Sequence, residues 1–62
     1  MIEKLSVEMA RKLRGLSQSE LAKKIGMSTS TYRSKEQGRS EFYWDEVKKI
    51  ADELKIPIES LT

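Results

Sequence analysis

The sequence predicts an all-α fold of five short helices organised around a helix-turn-helix between Ser17 and Gly38. Three observations lead to it. Leu21, Ala22 and Ile25 recur at the three- and four-residue spacing that lines one face of a helix. Ser17, followed three residues later by Glu20, forms a capping box at the start of that helix. Gly26 stands where the helix must stop in a left-handed conformation, and Ser28, just beyond the apolar Met27, is placed to cap a second helix. The spacing therefore predicts one helix over Gln18 to Ile25 and another over Thr29 to about Gln37.

Length and composition limit what such a chain can do. Sixty-two residues make one domain, 1–62, near the lower size at which a core holds without a covalent or metal staple. The sequence has no cysteine and no histidine, so disulfides, thiolate metal sites and imidazole bases are excluded. A domain this small has little room for a substrate pocket. We therefore expect no enzyme activity, no metal and no cofactor. No apolar run approaches the roughly 18 residues of a membrane span, and no signal-peptide pattern follows the N-terminus. A cytoplasmic protein without membrane attachment is expected. The net charge of +2 is too small to argue for nucleic acid, but it is unevenly spread. Residues 1–39 hold nine Lys/Arg against four Asp/Glu, a balance of +5, whereas residues 40–62 hold three against six, a balance of −3. The basic part contains the helix-turn-helix.

The first helix is expected from about Glu3 to Arg14, ended by Gly15. It carries an apolar stripe, Ile2, Leu5, Met9 and Leu13, wider than one core requires. Packing against the C-terminal helix explains such a stripe, and so does a surface for a second subunit or partner. The third helix has two unlike faces. At 100° per residue Thr29, Ser30, Arg33, Ser34 and Gln37 share one side, and Tyr32 and Glu36 share the other. The first face is rich in hydrogen-bonding groups and free of acids, which suits the major groove of DNA, although small polar residues also make an ordinary solvated face. Gly38 ends this helix, and Arg39 to Phe42 form a loop. The fourth helix, about Tyr43 to Leu54, has Trp44, Val47, Ile50, Ala51 and Leu54 as expected core, with Trp44 in register with the aliphatic positions. Pro57 is pre-set for the first turn of a last short helix, from which Ile58 and Leu61 pack back.

Several of these residues fall in a known order. Arg11, Leu16-Ser17-Gln18, Glu20-Leu21-Ala22, Gly26-Met27-Ser28 and Glu36-Gln37-Gly38 resemble the pattern of the phage-repressor and Cro-like (lambda-repressor-like, XRE-type) helix-turn-helix family. The resemblance continues through Ile50-Ala51, Leu54 and Ile58-Glu59-Ser60-Leu61, nearly the whole chain. It implies that Val7 and Ala10 are buried and that Arg11 meets Glu36 inside the domain as a structural ion pair. It also implies that Thr29, Ser30, Arg33 and Ser34 approach base edges, with Arg33 suited to guanine O6 and N7. Gln18, Ser28, Gln37, Arg39 and Tyr43 are then directed at phosphate. Two departures stand out: the family usually has polar residues at Met9 and Leu13, and an apolar residue at Lys35.

Two functions from different classes follow. The leading one is a sequence-specific regulator of double-stranded DNA, a repressor that occupies a palindromic operator as a homodimer without a small-molecule effector. The other is a helix-turn-helix used mainly for protein contact, an antitoxin-like or phage regulatory subunit, motivated by the Ile2/Leu5/Met9/Leu13 stripe.

Overall fold

Serine hydroxyls start three of the helices. In the computed structural model, which describes residues 5–61, Oγ of Ser6, Ser17 and Ser28 accepts the backbone N–H of Met9, Glu20 and Thr31 at 3.1, 3.1 and 3.3 Å. These caps open α1, Val7–Leu13; α2, Gln18–Lys24; and α3, Thr29–Glu36. Glu20 Oε1 accepts the Ser17 N–H at 2.8 Å and completes the capping box. A fourth helix, α4, Trp44–Leu54, opens differently, with Glu46 Oε1 accepting the Tyr43 N–H at 2.8 Å. The expected fifth helix is a single 3-10 turn, Ile58–Ser60, entered from Pro57.

All four α-helices end in the same way. Past each last turn, one residue adopts the left-handed conformation, and two backbone N–H groups turn back onto the open carbonyls, the Schellman arrangement. After α2, Gly26 donates to Lys23 at 3.2 Å and Met27 to Ala22 at 2.8 Å; after α3, Gly38 donates to Lys35 at 3.1 Å and Arg39 to Ser34 at 2.9 Å. The φ angles of Gly26 and Gly38 are +74° and +87°, where a residue without Cβ carries no steric penalty. After α4 the same position is Lys55, at φ +55°. Arg14 reinforces this end: its Nε donates to Leu54 O at 2.7 Å and its Nη2 to Lys55 O at 3.4 Å.

The helices close around one core made of Val7 and Ala10, then Leu21, Ala22 and Ile25, then Tyr32, and finally Ile50, Ala51, Leu54 and Leu61. The two ends of the described residues are tied together, since Leu5 pairs with Leu61 in a parallel bridge and its N–H donates to Ser60 O at 2.7 Å. That pairing corrects the expected start of the first helix. Leu5 is drawn into extended backbone by the C-terminal segment, so α1 begins at Val7; Ile2 and Glu3 lie outside the described residues.

One expectation about a large apolar side chain is overturned, and of the two readings left open for the α1 stripe, packing is not what Met9 and Leu13 do. Trp44, read as core, is 68% exposed. Phe42, two residues earlier, is the aromatic that packs on the Tyr32 ring, at a centroid distance of 5.7 Å, while Trp44 stands at the first position of α4. Its indole instead walls a shallow surface groove with Ala51, Ile56, Pro57 and Ile58. On α1, Met9 and Leu13 are 54% and 72% exposed, so they do not pack on a C-terminal helix, whereas Leu5 packs partly against the core.

Lys55→Gly relieves a left-handed Lys and should stabilise the protein by roughly 1 kcal/mol, a rise of about 4–8 °C in Tm for a domain this small. Thermal denaturation followed by circular dichroism checks it. By the same measurement Trp44→Gln should cost less than about 1 kcal/mol, against the ~3–5 kcal/mol lost on truncating a core tryptophan.

Candidate nucleic-acid interface

Helix α3 is divided as its periodicity predicts. Tyr32 is wholly buried, and the side chain of Glu36 is 4% exposed. On the opposite side Ser30, Arg33 and Gln37 are exposed, and Thr29 and Ser34 are half-buried. The turn through Gly26, Met27 and Ser28 sets α3 against α2. Met27 is the partly buried anchor of that turn, and Ser28 Oγ also donates to Thr31 Oγ1 at 2.8 Å.

The carboxylate of Glu36 holds this arrangement. Its Oε2 accepts from Arg11 Nε at 2.9 Å and from the Tyr32 hydroxyl at 2.5 Å. Its Oε1 accepts from Arg11 Nη2 at 3.2 Å and from Gln18 Nε2 at 2.8 Å. Arg11 Nη1 goes on to the Leu16 carbonyl at 2.7 Å, in the connection between α1 and α2. One acid on α3 thus binds α1, the head of α2 and a core tyrosine at once. Four bonds use about all the acceptor capacity a carboxylate has. Burial pushes the Glu36 carboxyl up, but the donors Arg11, Tyr32 and Gln18 outweigh it and hold the group below the usual carboxylate range. Burial, together with the bond to Glu36, pushes the Tyr32 phenol well above its ordinary value, so it remains a donor. Among the described residues no buried side-chain polar atom lacks a partner.

A second polar cluster lies at the same C-terminal end of α3, one residue before Glu36. Lys35, which replaces an apolar residue of the resembled pattern, is buried along its stem and directs Nζ to Glu46 Oε1 at 2.6 Å. The same ammonium lies 4.2 Å from the centre of the Tyr43 ring, a cation–π contact. Burial raises the Glu46 carboxyl, but the Lys35 ammonium and the Tyr43 N–H more than offset this and lower it. The last turn of α3 is therefore held to α4 by a charge where an aliphatic contact would ordinarily serve.

The residues directed at DNA by resemblance are distributed as follows. Thr29, Ser30, Arg33, Ser34 and Gln37 lie along one side of α3, with Ser28 at its start. Gln18, on the first turn of α2, joins them, because its Oε1 accepts from Arg33 Nε at 3.1 Å. Arg39 follows the left-handed Gly38 and is exposed. Tyr43 is 68% exposed at the head of α4, with the Lys35 ammonium over its ring. Lys23 and Lys24 are exposed on α2. Sequence reasoning missed the Tyr32–Glu36 bond, although their four-residue spacing on one face was the available signal. It also missed the Gln18 bridge and the Arg14 cap, both of which join residues from different elements. Among the described residues no cluster of His, Cys, Asp or Glu could hold a metal ion, and no helix is long and apolar enough to cross a membrane.

Removing Arg11 strands a buried carboxylate. Arg11→Met should cost ~3–5 kcal/mol, a large share of the roughly 3–9 kcal/mol total expected at this chain length. Arg11→Met/Glu36→Gln should cost less than Arg11→Met alone, because the neutral amide leaves no unpaired charge; urea titration compares the two. Since the folded Glu36 carboxyl lies below its unfolded value of about 4.3, its stabilisation is complete above that pH and is lost as pH falls through the lower folded value. Urea midpoints measured from pH 7 to pH 3 should be flat above about pH 5 and drop below it, with a shallower drop in Glu36→Gln.

The helix-turn-helix family model matches residues 7–61, from the first residue of α1 to the last of the described chain. No curated protein and no solved structure matches the chain. With the match running over all four α-helices and with α2, the Gly26 turn and α3 in the arrangement just described, the chain belongs to the helix-turn-helix family of DNA-binding regulators, of the phage-repressor and Cro-like type.

Proposed function

We propose that this protein is a cytoplasmic transcriptional repressor that occupies a palindromic operator as a homodimer, with α3 of each copy in the major groove of double-stranded DNA. The observation that carries the reading is the division of α3. Tyr32 and Glu36 anchor one side in the interior, while Ser30, Arg33 and Gln37 face outward without an acidic neighbour among them. In this reading Arg33 makes paired bonds to a guanine, and Thr29, Ser30 and Ser34 touch neighbouring base edges. Gln18, Ser28, Gln37, Arg39 and Tyr43 meet phosphate, and Lys23 and Lys24 add longer-range attraction. A single module this small buries little surface on DNA, so useful affinity needs two copies about one helical turn apart. The whole chain, 1–62, acts as one domain without a small-molecule effector, and repression follows from occupancy of the operator.

A second reading rests on α1. Met9 and Leu13 lie exposed beside Leu5 and Lys12, an apolar surface that suits a protein partner of an antitoxin-like or phage regulatory subunit; Ile2, the fourth residue of that stripe, lies outside the described residues.

Selection from random duplexes should return a two-fold symmetric site with half-sites about 10 base pairs apart. Arg33→Met should cost about 1–3 kcal/mol at one base pair of each half-site. If a dimer neutralises ~6 phosphates, affinity should fall with salt at a log–log slope near −5, and a gel-shift titration insensitive to salt would rule out the phosphate contacts. Under the second reading, Met9→Lys/Leu13→Lys would abolish function while Arg33→Met leaves it intact.

A further inference from the structure

We infer that Gln18 is a positioning residue that sets the guanidinium of Arg33 for base reading and ties it to the buried Arg11–Glu36 pair. The inference rests on α3 reading DNA, and it assigns Gln18 more than a phosphate contact. A side-chain amide can be turned either way, but here chemistry leaves one choice. The carboxylate of Glu36 only accepts, so the Gln18 atom at 2.8 Å from Glu36 Oε1 must be the NH2 group. The carbonyl of Gln18 is thereby aimed at α3, where Arg33 Nε donates to it at 3.1 Å. Arg11, Glu36, Gln18 and Arg33 form a relay of alternating donors and acceptors from the core to the surface.

The consequence for recognition is geometric. An arginine can present either its Nε/Nη2 edge or its Nη1/Nη2 edge to a paired acceptor. With Nε–H engaged by Gln18, the first edge is taken and the terminal Nη1/Nη2 edge remains for guanine O6 and N7. The Arg33 side chain makes no other hydrogen bond or ion pair within the described residues, so Gln18 is what restrains an otherwise free guanidinium. Gln18 keeps its second amide hydrogen for a phosphate oxygen, so a single residue can mark backbone register and arginine orientation together.

Gln18→Met keeps length and apolar stem but offers neither donor nor acceptor, and Gln18→Ala serves as the second variant. On the duplex selected by the wild-type protein and its single-base substitutions, both variants should lose about threefold or more of the preference at the base pair assigned to Arg33, out of the roughly 5- to 150-fold that a bidentate pair provides. Discrimination at the other positions should be unchanged, and adding Gln18→Met to Arg33→Met should cause no further loss at that pair. Uniform weakening across all duplexes, additive with Arg33→Met, would overturn the inference and leave Gln18 a plain phosphate contact. The free protein supplies an independent arm: the Arg33 Nε–H resonance should exchange with water several-fold more slowly in wild type than in Gln18→Met, and equal exchange would also overturn it. A wild-type protein with slow Nε–H exchange but no preference among duplexes would instead refute base reading by α3, and with it the use assigned here to the Gln18 tie.

Discussion

The Glu36 carboxylate holds together elements that share little else. A 62-residue chain has few apolar contacts to fix the relative angle of three short helices, and α2 and α3 are each shorter than an isolated helix needs to persist in water. A buried acid with four donors supplies direction where apolar packing supplies only cohesion. Arg11 approaches it from α1, Gln18 from α2, and Tyr32 from one turn earlier in α3. Net stabilisation from such a pair is small, because the cost of desolvation offsets the attraction. The product is geometry: α3 is held at one rotation about its axis, so its polar side faces out.

The same logic explains the end of α3. Lys35 lies at the edge of the core and is satisfied from α4 by Glu46 and the Tyr43 ring. The last turn of the helix is clamped by two charge pairs, from the adjacent residues Lys35 and Glu36, whose partners come from other elements. This holds Lys35 against α4 and leaves Arg33 and Arg39 as exposed cations next to the outer side of α3. In the proposed reading, recognition is then concentrated in few side chains, and the orientation of each matters more. The Gln18–Arg33 bond fits the same pattern, since it extends the rigid interior by one residue onto the outer side of α3.

What the sequence determined by itself is what short-range chemistry decides. Ser17 with Glu20, Ser28, and glycines at 15, 26 and 38 mark helix starts and stops, because caps and left-handed turns depend only on neighbours along the chain. The inward placement of Tyr32 and the outward placement of Arg33 follow from helical periodicity in the same way. The Arg11–Glu36 pair was legible only through resemblance, as nothing local joins residues 25 apart. Tertiary structure decided the rest. Whether Phe42 or Trp44 closes the end of the core depends on how the loop enters α4, and both satisfy the apolar pattern. Leu5 left the first helix because the C-terminal segment offered it a backbone partner. The Arg14 cap, the Lys35–Glu46 pair and the Gln18 relay all join side chains from different elements, whose meeting is fixed by packing angles that no one-dimensional spacing encodes.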